Sequence, residues 1–288
     1  MTTVILGDGV DAITFLGARP WPVPPEGVWE FADLDGWRGK TDDKVETRER
    51  PQAHGAFSAS RSLRTARSIS MTARFVGASR AATERALDAL DALGAEGPIT
   101  MTVAEDSGAT SRVVTIRRSP VLDRRSREIG SVSLDVSARD PRRYTPLVDA
   151  QWFETGPVAA ASGLTWAAPW SLSWGSGAPT GRITLANTGR APSAPRFQLA
   201  GGFASALVSC AETGARIGFD RPVPAGSVVE IDTATHRAIL DGLSDVSRWL
   251  RWREWELVPP RTSRTYQLDV TGAAGSPLLR GMVRSAWW

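Results

Sequence analysis

Residues 182–288 alternate between short apolar runs and turn residues, and this rhythm constrains the fold more than any other feature of the sequence. Glycine, proline or aspartate stands in most of the gaps. Short strands at roughly ten-residue spacing are typical of an antiparallel β-sandwich or β-barrel. The sequence therefore predicts a β domain with strands at 182–187, 193–200, 206–211, 216–219, 228–232, 238–240, 252–257, 266–270 and 278–287.

The first 144 residues combine strands with one convincing helix. Within 67–77 apolar residues occupy every second position from Ile69 to Phe75, which indicates a half-buried strand. Leucines at helical spacing predict a helix over 80–93, with Ser79 as its N-cap and Gly94 just beyond its end. This is the pattern of a β-rich α+β domain, whose other strands are expected at 4–6, 13–16, 28–31, 99–104, 113–118 and 129–138.

Two segments depart from this pattern. Residues 35–55 are polar and charged, and are interpreted as a long loop or an extended hairpin. Residues 145–181 are rich in Trp, Gly and Pro, and mark a connection between two domains. Because a solvated linker has no use for so much apolar surface, we expect this connection to be ordered and packed against its own domains or a neighbour.

Composition limits the classes of protein this can be. A chain of 288 residues is long enough for two domains, and its net charge of +3 is too small to imply nucleic-acid binding by itself. Cys210 is the only cysteine, so no intrachain disulfide can form, and its alternating run predicts a buried, inert thiol. No signal peptide or membrane-length apolar stretch is recognisable, which predicts synthesis in the cytoplasm and no membrane partner.

No pattern of reaction chemistry is present, so we expect no enzyme, no catalytic residue, no metal and no cofactor. His54 and His236 lie far apart in probable turns, which favours surface residues over metal ligands. Neither G-x-S-x-G nor a P-loop occurs. A pair of carboxylates for glycoside hydrolysis is harder to exclude, because its spacing is spatial. The candidates, whose strand-end and surface settings favour a structural role, are Asp232, Asp241, Glu254 and Glu256.

Of the 34 basic residues, only Lys40 and Lys44 are lysines. A GC-rich coding genome accounts for such a bias, and so do subunit contacts, since guanidinium groups pair in-plane with carboxylates and carbonyls. Phosphate contacts are a third reading, but no recognition helix or aromatic-basic strand accompanies these arginines, so no specific nucleic-acid partner is expected. Two groups stand out, one of Arg61, Arg64, Arg67, Arg74 and Arg80 and one of Arg112, Arg117, Arg118, Arg124, Arg125 and Arg127.

Tryptophan is unusually frequent, with 12 residues. Trp249, Trp252 and Trp255 fall within one short run that is also rich in arginine, a combination enriched at protein interfaces. On a strand, Trp252 faces away from the other two, so the three cannot all be core residues. We therefore expect another subunit or an ordered loop to bury at least one ring. The candidate interface aromatics are Trp249, Trp252, Trp255, Trp166, Trp170 and Trp174.

Several short motifs follow one another in a fixed order. They are Asp135–Tyr144, Asn187–Gly189, Phe197–Gly201, Thr213–Ile217, Pro224–Asp232 and Arg284–Trp288. This layout resembles the distal tail protein of long non-contractile-tailed bacteriophages (siphophages), also called a minor tail protein. The resemblance extends over nearly the whole chain, although it lies in the order of turn residues and strands and not in any single motif.

The resemblance implies a mainly β protein with two domains. An N-terminal ring-forming domain would cover 1–144 and a galectin-like antiparallel β-sandwich 182–288, with no family role for 145–181. In the family, six copies form a ring at the virion tail tip that joins the tail tube protein to the hub or baseplate around a channel for DNA. Residues 35–55 could then reach the next copy, and a receptor-binding protein is a further possible partner.

Two alternatives come from other classes of protein. One is a carbohydrate-binding module that contributes to attachment to the host surface, with an exposed tryptophan of the 249–255 run as its platform. The other is a hydrolase of the tail tip. A galectin-like fold does not decide between them, because function follows from the site and not from the fold.

Overall fold

The computed structural model describes residues 2–7, 11–18, 20, 22–44, 49–57, 63–118, 121–123, 129–158, 165–167, 171–173 and 181–288. The chain divides into two compact units. Unit 1 comprises Met1–Pro146 and Trp288, and unit 2 comprises Leu147–Trp287. The predicted fold class, mainly β with one helix, is confirmed for the described residues.

The strands of unit 1 form a sheet that closes into a barrel. Its elements are β1 (Thr3–Leu6), β2 (Ile13–Leu16), β3 (Val28–Asp35), β4 (Arg67–Val76), α1 (Arg80–Ala92), β5 (Ile99–Glu105), β6 (Gly108–Arg118), β7 (Val121–Asp123), β8 (Ile129–Ala138) and β9 (Arg143–Tyr144). Neighbouring strands follow the order β9-β6-β5-β1-β2-β3-β4-β8-β7. Because β6 also pairs with β8, the strands from β6 round to β8 form a closed barrel.

Strand β4 shows why the sequence pattern produces this barrel. Ile69, Met71 and Phe75 alternate with exposed Ser and Thr side chains and are buried in the core of unit 1. The predicted alternation of 67–77 is therefore confirmed. In the antiparallel partner β8, Val132 and Leu134 are buried in the same core, so both strands contribute their apolar faces to the barrel interior.

Helix α1 begins and ends where its sequence predicts. The Oγ atom of Ser79 accepts a hydrogen bond from the backbone N–H of Ala82 at 3.2 Å, so Ser79 is the N-cap. Leu87 and Leu90 are buried in the core of unit 1 and fix the helix against the barrel. Gly94 follows the C-cap with a φ of 72°, a left-handed conformation that glycine adopts without steric cost.

Unit 2 contains two main sheets. Its strands are β10 (Phe153–Thr155), β11 (Thr165–Ala167), β12 (Ser171–Ser173), β13 (Arg182–Asn187), β14 (Arg196–Ala200), β15 (Ser205–Cys210), β16 (Arg216–Phe219), β17 (Val228–Asp232), β18 (Arg237–Leu240), β19 (Ser244–Asp245), β20 (Leu250–Arg251), β21 (Thr262–Thr271), β22 (Leu278–Met282) and β23 (Ala286–Trp287). One sheet has the order β10-β22-β14-β17-β18-β19 and the other β13-β21-β15-β16-β20, while β11 and β12 form a separate pair.

One core joins the two main sheets, so unit 2 is a β-sandwich. Phe197 of the first sheet meets Tyr266 of the second edge to face, with ring centroids 4.9 Å apart. Cys210 is buried in this core, as predicted, and burial raises the pKa of its thiol. The sequence left sandwich and barrel open as alternatives, and the shared core decides for the sandwich.

The Asn187–Gly189 motif connects distant segments of unit 2. The buried Asn187 side chain donates to the carbonyls of Ala191 at 2.8 Å and Val258 at 3.0 Å. Its Oδ1 atom accepts from the backbone N–H groups of Gly189 and Ala286 at 3.0 and 3.2 Å. A side chain at residue 189 would collide with the Ala286 carbonyl, which explains the glycine. This motif therefore stabilises the fold and is not a reactive site.

The prediction of a strand over 252–257 is wrong. Strand β20 ends at Arg251, and Trp252 has a φ of 46°, which no strand accommodates. The predicted strand over 278–287 is interrupted, because β22 ends at Met282 and β23 begins at Ala286. Local alternation is present in both segments, but the backbone follows contacts with distant strands.

Replacing Ser79 by alanine should destabilise unit 1 by about 1 kcal/mol, because the first turn of α1 loses its capping oxygen. Chemical denaturation followed by circular dichroism measures this change. Ser70→Ala is the matched control, since Ser70 is exposed on the outer face of β4. Equal losses for the two variants would contradict the capping role.

Candidate interface surfaces

Two arginines are buried at one end of the barrel of unit 1. Arg112 is 2% exposed and Arg67 is 3% exposed. Arg112 stands two residues before the buried Val114 on β6, and Arg67 two residues before the buried Ile69 on β4, so both side chains face inward. The sequence placed both among surface groups, whether solvated or in contact with a partner. For these two residues that interpretation is wrong, because they continue the inward face of their strands.

Arg67 holds the turn that follows β3. Its Nη1 donates to the carbonyls of Gly36 and Arg38 at 2.8 and 3.1 Å, and its Nη2 donates to the carbonyl of Gly39 at 2.8 Å. A planar guanidinium can satisfy several carbonyls at once, which the compact ammonium of lysine cannot do in the same plane. Arg67 therefore fixes the backbone from residue 36 to 39.

Arg112 fixes the same turn from the other side. Its Nη1 donates to the carbonyl of Trp37 at 2.7 Å, its Nη2 donates to Pro141 at 3.2 Å, and its guanidinium carbon lies 4.3 Å from the centroid of the Trp37 ring. Trp37 is itself 2% exposed. A cation stacked on a desolvated indole is stabilised by the ring quadrupole. We call Trp37, Arg67 and Arg112, with the carbonyls they bind, the arginine plug.

The arginine plug carries positive charge with little compensation. Burial, together with the nearby positive charges of Arg67 and Arg143, lowers the pKa of Arg112 to about 9, against an opposing effect of Asp140. Burial would raise the pKa of Asp140, but hydrogen bonds from Arg142 and Tyr144 hold it below its usual value. At neutral pH the Arg112 guanidinium stays charged, stabilised mainly by carbonyl dipoles and the indole.

A hairpin arm starts from this plug. We call residues 40–66 the arm. Its described parts, 40–44, 49–57 and 63–66, contain antiparallel bridges between Asp43 and Arg64 and between Glu49 and Ala56. The two sides are joined by hydrogen bonds such as that from the Thr65 N–H to the Asp42 carbonyl at 3.0 Å. Of the two readings of residues 35–55, the hairpin is therefore the one observed, and β3 itself extends to residue 35.

The arm is exposed along nearly all of its described length. It presents Phe57 at 60% and Leu63 at 53% exposure, together with charged side chains of both signs. A two-stranded hairpin without a packed face is marginally stable in water. An arm with apolar side chains in solvent is therefore suited to contact with another polypeptide.

The three clustered tryptophans of unit 2 have different surroundings. Trp255 stacks on His236 with ring centroids 4.7 Å apart and an angle of 8°, so an ordered turn covers it. Trp249 is 37% exposed and Trp252 is 51% exposed, and Arg248 lies 5.2 Å from the Trp249 ring centroid. Trp166 lies in β11, whereas Trp170 and Trp174 fall outside the described residues. Among the candidate tryptophans whose side chains the structure describes, the substantially exposed rings are those of Trp249 and Trp252.

The acidic residues considered for glycoside hydrolysis have structural partners. Asp232 accepts from the Ala234 N–H at 2.8 Å, and Asp241 accepts from the Val228 N–H at 2.7 Å, which caps two turns. Glu254 accepts from the Arg216 N–H at 2.8 Å, and Glu256 accepts from Arg264 Nε at 3.0 Å. Each of the four carboxylates thus stabilises local backbone or a neighbouring cation.

The described residues contain neither a metal-ligand cluster nor a membrane-length apolar helix. In the ranges that the structure describes, no three His, Cys, Asp or Glu side chains converge as a potential metal site. His54 and His236 are both exposed, as predicted. Within the same ranges, no helix combines the length and apolar character required to traverse a bilayer.

No family model matches the sequence, and no curated protein matches it significantly. Solved structures do match. The chain is similar to the SPP1 Dit protein, described as a paradigm of the hub adsorption apparatus of phages that infect Gram-positive bacteria. The identity is 12% and the TM-score 0.58, over 90% of this chain and 94% of that one. The chain has the fold of a phage Dit hub protein.

Chains of the phage P2 baseplate in its activated conformation share this fold. With calcium, the match has 9% identity and a TM-score of 0.55 over 99% of this chain and 98% of that chain. With strontium, it has 10% identity and a TM-score of 0.54 over 98% of each chain. The similarity thus extends over both units and agrees with the fold that the motif order implied.

Replacing Arg112 by lysine should lower the free energy of unfolding by about 2 kcal/mol, because lysine cannot stack on Trp37 and bind both carbonyls at once. Denaturant titration of the purified protein measures the change. Arg117→Lys is the matched control, since Arg117 is an exposed residue of the same strand, and should shift stability by less than about 0.5 kcal/mol. An unchanged stability of the Arg112 variant would show that the plug is not needed.

Proposed function

We propose that this chain is a structural subunit of a bacteriophage tail tip. Copies of it form a ring, of six subunits, that connects the tail tube to the hub or baseplate and leaves a central channel through which DNA passes. The observation that carries this proposal is the likeness to phage hub and baseplate chains over at least nine-tenths of both partners. The protein acts by holding neighbours in place and not by catalysis, and its location is the tail tip of the virion.

The arm supports self-assembly. A ring of identical copies needs a head-to-tail contact, in which one surface of each subunit meets a different surface of the next. An exposed arm that is fixed at its root by the arginine plug and apolar along its length at Phe57 and Leu63 suits such a contact. A stable contact of this type buries about 1,600 Å² or more of surface. An arm increases the buried interface area without requiring a larger domain.

A second exposed apolar stretch supports contacts with other chains. It begins at the start of unit 2, where a 3-10 turn over Leu147–Asp149 has no buried residue. Proteins that act as monomers rarely leave large contiguous apolar patches in water. The exposed side chains are Leu147 at 56%, Val148 at 89%, Trp152 at 40%, Phe153 at 45% and Val158 at 56%. Tail tube, hub and receptor-binding proteins are the partners expected for a subunit in this position.

Shortening the arm should abolish the ring while leaving the protomer folded. Lys44 and Leu63 face each other across the arm, with the Lys44 N–H bonded to the Leu63 carbonyl. An Asn-Gly turn can replace residues 45–62 between them, since such turns close two-residue hairpins. We expect the mass in solution, measured by light scattering, to fall from a multimer to a monomer, with the melting temperature unchanged within about 3 °C.

A milder variant tests the same contact without a deletion. Replacing both Phe57 and Leu63 by serine should raise the protein concentration required for assembly at least tenfold. Leu243→Ser is its control, because Leu243 is 89% exposed in a turn of unit 2. A shortened-arm protein that assembles as readily as the unaltered chain would refute the arm contact.

A further inference from the structure

Trp252 has an unusual backbone conformation. Its φ of 46° lies in the left-handed region, where a bulky side chain is a genuine outlier. The other described non-glycine residues with positive φ are His236, Asp241 and Arg261. Such conformations carry a free-energy cost, persist only where the surroundings impose them, and cluster at functional sites. The conformation of Trp252 therefore requires a reason.

A β-bulge produces this conformation at the edge of the second sheet of unit 2. Arg251 pairs with Gly218 on β16, and the Glu254 N–H bonds to the Arg216 carbonyl at 3.1 Å. Between these two pairings the chain advances three residues, from Arg251 to Glu254, while β16 covers only two, from Gly218 to Arg216. Trp252 lies within this one-residue excess. Bulges turn a side chain away from its regular direction, and here the bulge redirects the indole.

The indole of Trp252 lies against the outer face of β16. A Cβ atom at Gly218 would lie 2.7 and 3.1 Å from two atoms of the indole, so only glycine lets the ring approach the strand this closely. Trp252 remains 51% exposed, and the guanidinium carbon of Arg216 lies 5.6 Å from the centroid of the indole ring. The result is a rigid indole supported from below and open to solvent.

Charged side chains of both signs lie on β16, on β20 and in the bulge that holds this indole. Arg251 pairs with Asp220 at 2.8 Å, and Arg216 pairs with Glu254 at 3.4 Å, and all four side chains are substantially exposed. The Trp249 carbonyl accepts from the Asp220 N–H at 3.0 Å, so the ladder continues to Trp249.

The second exposed indole, that of Trp249, is close to the same edge of the sheet. Leu250 is buried, so strand alternation directs Arg251 outward. Trp249 is instead the last residue of a 3-10 turn over Ser247–Trp249, and the guanidinium carbons of Arg248 and Arg221 lie 5.2 and 5.8 Å from its ring centroid. Trp249 stands opposite Asp220, two residues along β16 from Gly218, which is about 7 Å.

We propose that this face binds a saccharide, with a pyranose ring stacked on Trp252 and its hydroxyls bonded to the Arg251–Asp220 and Arg216–Glu254 pairs. A hydroxyl both donates and accepts hydrogen bonds, so it matches a face that offers guanidinium donors beside carboxylate acceptors. Small numbers of oriented polar groups beside an apolar surface are what fix a small ligand. The proposal does not depend on ring assembly.

The same features disfavour a single-stranded nucleic acid. Bases also stack on tryptophan, but nucleic-acid grooves follow the backbone with continuous positive charge. Here Asp220 lies two residues along the chain from Gly218 of β16, against which the Trp252 ring packs, and Glu254 pairs with Arg216 near that ring. Both carboxylates would repel phosphodiester groups. The carboxylates that weaken a nucleic-acid contact are the acceptors that a hydroxyl-rich ligand uses.

The full-length protein should bind members of a printed array of neutral, amino-sugar and acidic oligosaccharides. Trp252→Gly removes the indole while glycine tolerates the left-handed backbone, so the variant should fold and lose at least tenfold in array signal. Gly218→Ala keeps the indole but displaces it from the strand, and should have the same effect. Trp152→Ala is the control, because it removes a different exposed indole of unit 2, and should bind as the unaltered protein does.

Thermal melting and circular dichroism establish that each variant is folded. Loss of binding in both the Trp252 and the Gly218 variants, with binding kept in the Trp152 variant, supports the saccharide site. Three results would each overturn it. They are no array binding by the folded unaltered protein, equal binding by all variants, and tight Trp252-dependent binding of a single-stranded oligonucleotide without any glycan signal.

Discussion

The cation–π contact between Arg112 and Trp37, with the carbonyl bonds of Arg112 and Arg67, is the interaction on which unit 1 depends. A closed barrel has no free edges between its paired strands, but its ends must still be filled. At one end the guanidinium groups fill the space and bind the backbone of residues 36–39. The arm begins at residue 40, so the plug sets the direction of the arm while its described length remains exposed.

In unit 2, as in unit 1, the residues that stabilise the fold differ from those that are exposed for contact. Its core and the Asn187 hydrogen bonds hold the two sheets together. At the edge of one sheet, the bulge at Trp252 carries backbone strain that the core does not require. Strain of this kind is maintained where it positions a side chain for use. The exposed indoles, unlike the buried rings of Phe197 and Tyr266, are thus placed for contact with something outside the unit.

The sequence predicted what depends on neighbours along the chain. The alternation of β4 and the caps of α1 are local, and both are observed. The burial of Arg67 and Arg112 was not predicted. Both lie at alternate strand positions that continue a buried face, but they were assigned to the surface because arginine is charged. The bulge at Trp252 could not be predicted, since it depends on Gly218, a residue distant in sequence. Closure of the barrel through β6 and β8 is non-local for the same reason.

The central claim is that the arm of one copy contacts the next copy in a closed ring. Electron cryomicroscopy of the purified full-length protein tests it most directly. We expect class averages with six-fold symmetry around an open channel, and density for residues 40–66 of each copy lying on the surface of its neighbour. Solitary particles, with the arm folded back on its own barrel, would contradict it.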